Sequence, residues 1–367
     1  MKIALLNTQV PFVVGGAEMH ADNLKHALIE HGHQAELVSI PFKWYPPERI
    51  LQNMMACRML DITESCGDKI DLAIGLRFPA YLIPHPNKVL WILHQYRTAY
   101  DLWESPLCDL KHYPNGGEVR AAIETADRAL LPEAKAIFSN SQNVSNRLKK
   151  YCDIDSTPLY HPPPNAEQFY CEGAEPYFFY PSRITSTKRQ SLVIEALALT
   201  QQPVVMYFAG SAEEPDYENK LKQKAAELGV SDRIKWLGRV TDQEKRQFYA
   251  RSLAVVFPPV DEDYGYITLE AMLSRKAVIT LSDSGGPLEF VLPDETGFIC
   301  EPSAESLANQ LDHCWSIQAQ LKQIGENGYA HYQAKNINWH TVVESLISSP
   351  VTASVDGDLA QDKGHQK

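Results

Sequence analysis

The sequence has no apolar run approaching about 18 residues, the length that a membrane-spanning helix requires. The apolar run in its first residues, M-K-I-A-L-L-N-T-Q, is too short for a signal peptide. The seven cysteines are scattered and include no C-x-x-C, so neither a disulfide framework nor a zinc site is expected. These absences predict a cytoplasmic protein whose association with the inner face of a membrane is at most peripheral.

The sequence also lacks a surplus of positive charge. Its formal net charge is −12 over 367 residues, whereas nucleic-acid binding needs a basic surface that neutralises phosphates. We therefore expect no nucleic-acid partner. The hydrophobic fraction of 44% is ordinary for a globular protein, and the length predicts about two domains.

Short apolar runs alternate with helical segments along both halves of the chain. Residues 2–6 and 35–40 flank a helical segment in the first half, and residues 204–210 and 277–281 are strong strands in the second. The stiff H-P-P-P segment at 161–164 separates the halves. This alternation predicts an α/β fold of two doubly wound, Rossmann-like domains facing across a cleft, at residues 1–172 and 173–332. The polar residues 350–367 are predicted to form a disordered tail.

Residues 260–270, V-D-E-D-Y-G-Y-I-T-L-E, contain two glutamates, Glu262 and Glu270, with Gly265 between them. They follow an apolar strand and lead into a helix. The carboxyl ends of strands in open α/β sheets bind ligands, and a helix N-terminus offers free N–H groups to an anion. Acidic side chains beside an anion site suggest a ligand with phosphates and hydroxyls, such as a nucleotide sugar.

In the first half of the chain, a glycine pair and a histidine each follow a predicted strand. Gly15 and Gly16 follow the first strand and would let a ligand approach the backbone closely, although a tight turn explains them equally well. They do not form G-x-G-x-x-G, so the dinucleotide interpretation is weak. His94 directly follows the strand at 88–93 and either faces the ligand or simply caps the strand end.

Several motifs occur together in a fixed order: G-G-A-E at 15–18, S-R-I-T-S-T-K at 182–188, L-G-R-V at 237–240, E-D-Y-G at 262–265 with Glu270, and S-G-G-P-L-E at 284–289. In this respect the chain resembles the family 4 (group 1) retaining glycosyltransferases of the GT-B fold. The resemblance extends from residue 1 to about residue 347. It implies that the first domain binds the acceptor, that the second binds a nucleotide sugar, and that a helix within residues 333–349 packs back on the first.

The resemblance also implies a role for each motif residue. Arg183 and Lys188 would clamp the donor diphosphate, whose developing charge must be stabilised without a metal. Glu270 would accept hydrogen bonds from the ribose, Glu262 would bind hydroxyls of the transferred sugar, and His94 would lie near the reacting centre. The remaining donor contacts would come largely from backbone groups of Gly15, Gly16, Gly238, Arg239, Val240, Tyr264, Gly265, Tyr266 and Ile267.

Two stretches depart from the family's common pattern. His94 is followed by Q-Y-R where the family commonly has aspartate, and Asp263-Tyr264 replaces the commoner Pro-Phe. The aromatic loops at 42–47 and 96–117 are expected to contact the acceptor, because amphipathic aromatic rings suit sugar rings.

The function implied by the resemblance is retaining, metal-independent and cofactor-free transfer of a hexosyl group. The donor would be a nucleoside diphosphate sugar, UDP by default, and the acceptor a saccharide or lipid-linked saccharide in surface polysaccharide synthesis. Two alternatives remain open: a nucleotide-sugar 2-epimerase of the same fold, and a noncatalytic nucleotide-sugar-binding protein. An epimerase needs carboxylates placed for proton abstraction and elimination, and no such set is identified in this sequence. A noncatalytic binding protein would be compatible with the same Arg183, Lys188, Glu262 and Glu270.

Overall fold

The computed structural model describes residues 1–12, 15–212 and 215–348. The strands are β1 (Lys2–Gln9), β2 (Gln34–Pro41), β3 (Glu64–Ser65), β4 (Asp68–Lys69), β5 (Leu72–Gly75), β6 (Lys88–Ile92), β7 (Ala136–Ser139), β8 (Thr157–Pro158), β9 (Phe178–Pro181), β10 (Met206–Ala209), β11 (Ile234–Trp236), β12 (Ala254–Val256), β13 (Ala277–Leu281) and β14 (Gly297–Cys300). The helices are α1 (Gly16–Glu30), α2 (Glu48–Met59), α3 (Gly116–Leu130), α4 (Gln142–Cys152), α5 (Gln190–Leu199), α6 (Pro215–Glu227), α7 (Asp242–Arg251), α8 (Tyr266–Leu273), α9 (Ala304–Ser316), α10 (Gln318–Ala334) and α11 (Trp339–Ile347).

Two six-stranded sheets organise the chain, with strand orders β2-β1-β5-β6-β7-β8 and β11-β10-β9-β12-β13-β14. Neighbouring strands within each are parallel, and only the small hairpin β3–β4 is antiparallel among the described pairs. In each sheet the strand order reverses beside the first strand, between β1 and β5 and between β9 and β12. Ligands of doubly wound folds bind at such switch points, outside the carboxyl ends of the strands.

Both sheets are buried on both faces, which explains their nearly continuous apolar strands. In β1, Ile3 and Leu5 pack towards α1 and α11, while Ala4 and Leu6 pack on the opposite face with residues of α2, α3 and α4. The same alternation divides β9, since Phe178 belongs to one core and Phe179 to another.

The last helix, α11, packs against α1 of the N-terminal domain through Val342, Val343 and Leu346. This is the helix that the resemblance implied. The chain passes from one sheet to the other between β8 and β9, an interval that contains the predicted boundary at residue 172. The backbone leaves helical geometry at Ile317, which separates α9 from α10. The predicted tail, residues 350–367, lies outside the described residues.

Candidate active site

A cavity of about 420 Å³ lies between the two domains, at the carboxyl ends of both sheets. Residues after β1, β5 and β6 line it from the N-terminal side, and residues after β9 and β12 line it from the C-terminal side. Both switch points therefore open onto one space. Most of the predicted site residues line this cavity: Gly15, Gly16, His94, Arg183, Lys188, Glu262, Tyr264, Gly265, Tyr266, Ile267 and Glu270.

The loop between β12 and α8 brings Glu262 to the cavity and starts the helix that carries Glu270. Gly265 caps α8 with a left-handed backbone, φ 87°. An added Cβ there would lie 3.1 Å from Pro287 Cγ and 3.2 Å from Phe257 Cε1, so glycine is required on both conformational and steric grounds. Gly265, Tyr266 and Ile267 line the cavity, so the amino end of α8, whose first N–H groups lack partners within the helix, is available to an anion there.

Lys188 and Glu262 form an ion pair that joins the loop after β9 to the loop after β12. Lys188 is buried, and its Nζ also lies 5.4 Å from the centroid of the Phe257 ring. Arg183, from the same loop as Lys188, is exposed at the cavity wall. Positive charge on this loop thus lies beside the amino end of α8.

Glu270 is buried in α8 and accepts two hydrogen bonds from α7. Lys245 Nζ donates to Oε1 at 2.8 Å, and the Tyr249 hydroxyl donates to Oε2 at 2.7 Å. Lys245 lines the cavity and Tyr249 does not. A ligand hydroxyl that reaches Glu270 must therefore share or displace the lysine contact.

On the N-terminal side, Glu18 fixes the glycine turn that precedes α1. The Gly15 N–H donates to Glu18 Oε2 at 2.8 Å, and Arg77 Nη1 donates to Glu18 Oε1 at 2.6 Å. Arg77 also donates to the Thr8 carbonyl at 3.1 Å. Because Arg77 follows β5, this network connects the two strands at the switch point and holds the turn with Gly16 against the cavity.

His94 lies after β6 with its Nδ1 2.7 Å from the Gln95 carbonyl oxygen. A carbonyl can only accept, so Nδ1 carries the proton and Nε2 of the neutral ring is an acceptor. Burial lowers the pKa of His94, although the Asp263 carboxylate acts in the opposite direction. The ring is therefore neutral at neutral pH.

Gly238, Arg239 and Val240 do not line the cavity, in contrast to the other predicted donor residues. The Gly238 carbonyl accepts from the Gly210 N–H at 2.8 Å, which ties this turn to the end of β10. The adjoining wall is instead formed by Asp242, Lys245 and Arg246 from the first turns of α7. The sequence signal that could have identified this wall is the helical spacing of Asp242, Lys245 and Arg246.

A histidine pair at the domain junction has no counterpart in the sequence predictions. His20 Nδ1 lies 3.0 Å from His161 Nε2, which in turn lies 2.7 Å from the Tyr266 hydroxyl. Burial lowers the pKa of His20 to about 3 and that of His161 well below its ordinary value. Both rings are neutral, line the cavity and connect α1 to the start of α8.

Sequence similarity over most of the chain shows its family. A family model described as "Glycosyl transferases group 1" matches residues 166–331. The lipopolysaccharide core biosynthesis mannosyltransferase LpcC of Rhizobium leguminosarum bv. viciae is 31% identical over 304 residues, which cover 79% of this chain and 76% of that relative. The chain belongs to the group 1 glycosyltransferases. The predicted family and the prediction of a glycosyltransferase are thereby confirmed.

This group 1 glycosyltransferase also matches alpha-1,3/1,6-mannosyltransferase ALG2 of Dictyostelium discoideum, at 30% identity over 148 residues. That match spans 38% of this chain and only 34% of the relative.

Solved structures confirm the GT-B fold. Anabaena HepE, crystallised with UDP and glucose, superposes with a TM-score of 0.70 at 17% identity, covering 95% of this chain and 99% of HepE. A glycosyltransferase from Rickettsia africae superposes with a TM-score of 0.71 at 19% identity, covering 95% of this chain and all of the other.

Across 1–12, 15–212 and 215–348, no cluster of three or more His, Cys, Asp or Glu side chains could hold a metal ion. Within those same ranges, no helix of this glycosyltransferase is both long enough and apolar enough to cross a bilayer.

Proposed function

We propose that the protein transfers a sugar from a nucleoside diphosphate sugar to an acceptor hydroxyl, with retained anomeric configuration and without a metal ion. The observation that carries this proposal is the convergence of Arg183, Lys188, Glu262 and Glu270 on one interdomain cavity. The glycine turn and His94 face them from the other domain.

The diphosphate would lie between the loop after β9 and the amino end of α8. Arg183 and Lys188 supply positive charge, and the first N–H groups of α8 and the turn at Gly16 supply donors. Charge-assisted hydrogen bonds of this kind stabilise the negative charge that develops on a departing diphosphate. The cationic pair supports departure of the leaving group without a metal.

The nucleoside would extend from the diphosphate towards α7. Glu270 would accept from the ribose hydroxyls in place of Lys245, whose flexible side chain can turn to the phosphates. The base would then contact the wall formed by Asp242 and Arg246.

Glu262 and His94 would hold the transferred sugar. In the proposed arrangement, Glu262 keeps its contact with Lys188 and accepts from sugar hydroxyls, which does not suit it to act as a nucleophile. The acceptor oxygen would bond to the anomeric carbon as the bond to the diphosphate breaks on the same face. The proton of the acceptor would pass to a departing phosphate oxygen, so orientation and electrostatics carry the catalysis.

The choice of donor and acceptor follows the similar proteins. UDP is the first nucleotide to test because HepE was crystallised with UDP and glucose, and mannose is a first sugar because LpcC is a mannosyltransferase. The acceptor would be a saccharide or lipid-linked saccharide at the loops 42–47 and 96–117, where Tyr45 is 48% exposed. The reaction would serve surface polysaccharide synthesis in the cytoplasm, with peripheral membrane association at most.

Incubation with a panel of UDP- and GDP-sugars, with and without EDTA, tests the proposal. We expect slow release of the nucleotide diphosphate without acceptor, faster release with saccharide acceptors, equal rates in EDTA, and a product of retained configuration by NMR. Interconversion of nucleotide sugars without an acceptor would identify an epimerase instead. Tight binding without turnover would identify a noncatalytic binding protein.

A further inference from the structure

The loop that carries Glu262 is held by the opposite domain through two arginines. Arg147 of α4 pairs with the Asp263 carboxylate and, at 2.9 Å, with that of Asp261. Its Nη2 also donates to the Asp261 carbonyl at 2.6 Å. Arg97, after β6, donates to the same carbonyl at 2.9 Å. The residues on both sides of Glu262 are therefore bound by guanidinium groups of the N-terminal domain.

The amino end of α4 holds the same loop through neutral side chains. The Ser141 hydroxyl donates to the Asp263 carbonyl, and Asn143 Nδ2 donates to the Glu262 carbonyl at 2.9 Å. Within its own domain, the Glu262 N–H donates to the Ser284 carbonyl at 2.8 Å. The backbone at Glu262 is thus fixed from both domains, while its side chain pairs with Lys188.

Burial and charge make the arginine contacts more than a surface ion pair. The Arg147 side chain is 9% exposed and that of Asp263 is 20% exposed. Burial alone would raise the pKa of Asp263, but Arg97 and Arg147 outweigh it and hold the pKa below its ordinary value. Asp263 therefore remains ionised, and removal of Arg147 would leave it with the guanidinium of Arg97 alone, at 3.9 Å.

Asp263 and Tyr264, which replace the family's common Pro-Phe, both lie at this interface. Asp263 accepts from Arg147, while the Tyr264 hydroxyl donates to the His161 carbonyl at 2.6 Å and accepts from the His161 N–H at 3.0 Å. Proline and phenylalanine could make none of these polar contacts. The interface is therefore a property of this chain's own residues.

Arg97 also belongs to the segment predicted to contact the acceptor. Its Nε donates to Asp101 Oδ2 at 2.8 Å, within residues 96–117. A shift of this segment would be transmitted to Asp261 through one guanidinium group.

We propose that Arg97 and Arg147 are positioning residues that set Glu262 against the transferred sugar through Asp261 and Asp263. Neither arginine need touch the donor. The inference rests on the proposed function, in which Glu262 binds the sugar while other residues bind the nucleotide. The two arginines should therefore affect recognition of the sugar and leave recognition of the nucleotide intact.

The test compares a free nucleotide with the intact donor. Calorimetry would use UDP with UDP-glucose and GDP with GDP-mannose, on wild type, Arg147→Met, Arg147→Lys and Asp263→Asn. Arg58→Met is the matched control, because Arg58 makes a two-bond pair with Glu133 on the surface of the N-terminal domain. Thermal unfolding would verify that each variant is folded.

We consider whichever nucleotide and nucleotide sugar the wild-type protein binds. For these ligands, Arg147→Met should change the Kd of the free nucleotide by no more than about threefold relative to wild type. It should remove the extra affinity of the intact donor and lower kcat about 10- to 100-fold, since a misplacement of about 1 Å can have that effect. Asp263→Asn should act likewise, the effects of the two substitutions should not add, and Arg147→Lys should restore part of the loss.

If Arg147→Met weakened binding of the free nucleotide and of the intact donor equally, or changed neither Kd, the positioning role of the arginines would be wrong. The proposed function would not be affected by that result. A wild-type protein that binds neither pair would contradict the proposed function, and the inference with it.

Discussion

Lys188 and Glu262 form an ion pair between the two loops that flank the switch point of the C-terminal sheet. Each side chain has a proposed partner on a different part of the donor: the diphosphate for Lys188 and the sugar for Glu262. The ion pair would therefore fix the position of the leaving diphosphate relative to the transferred sugar.

Lys188→Met should lower kcat/KM about 10²- to 10³-fold, because it removes charge stabilisation from the leaving diphosphate and leaves Glu262 without its cation. Steady-state release of the nucleotide diphosphate measures the effect. Lys220→Met is the control, since Lys220 is exposed on α6 away from the cavity. Equal activity of the two variants would remove Lys188 from the site.

Glu270→Gln and Arg183→Ala should both weaken donor binding, each by about 10- to 100-fold in Kd, the range for hydrogen bonds to charged groups. Glu270 would lose the charge that attracts the ribose hydroxyls, and Arg183 its contact with the phosphates. Titration calorimetry with the donor measures both, and Glu305→Gln on the exposed first turn of α9 is the control. Unchanged affinity in both site variants would contradict the assignment of this cavity to the donor.

Gly265→Ala should destabilise the protein by about 1–3 kcal/mol, because a side chain at positive φ is strained and the new Cβ meets Pro287 and Phe257. Gly117→Ala is matched to it, since Gly117 lies in α3 and an added Cβ there would have no heavy atom within 4 Å. That control should gain at most about 0.5 kcal/mol. Urea unfolding compares the two, and an equal response would show that the turn tolerates a side chain.

Asp127 should give the stability of the protein a pH dependence. It is fully buried in α3 and accepts from the hydroxyls of Tyr81 at 2.9 Å and Tyr100 at 2.8 Å. Burial raises its pKa from 3.8 to about 6 despite these bonds. The folded state therefore holds the proton more tightly than the unfolded state.

As the pH rises from about 4 to about 6, this carboxyl should reduce the free energy of unfolding by up to about 3 kcal/mol. Asp127→Asn does not titrate, so the stability of wild type relative to the variant should fall across that window. Urea unfolding at several pH values measures the difference. A difference that stays constant with pH would contradict the account of this group.

The sequence predicted most residues of the C-terminal domain that line the cavity, because the signals for them are local. Glu262, Gly265 and Glu270 lie within a single strand–loop–helix unit, and Arg183 with Lys188 lies directly after another strand. Parallel strands bring such loops to one edge of the sheet, whatever the rest of the chain does. Only the turn with Gly238 failed to line the cavity, because it is bound to the end of β10.

The contacts between domains could not be predicted in the same way. Arg147 and Asp263 are 116 residues apart, and their pairing depends on the relative orientation of the two domains. The contact of Lys245 with Glu270 likewise depends on how α7 packs beside α8. A pattern of residue types determines neither, so these partners became visible only in three dimensions.

A crystal structure of the protein with the donor that it turns over would show directly whether this cavity is the donor site. We expect the diphosphate within hydrogen-bonding distance of Arg183, Lys188 and the backbone at Gly16. We expect the ribose at Glu270 and the sugar hydroxyls at Glu262. A nucleotide bound outside this cavity, or one whose sugar lies away from Glu262 and His94, would show that the assignment is wrong.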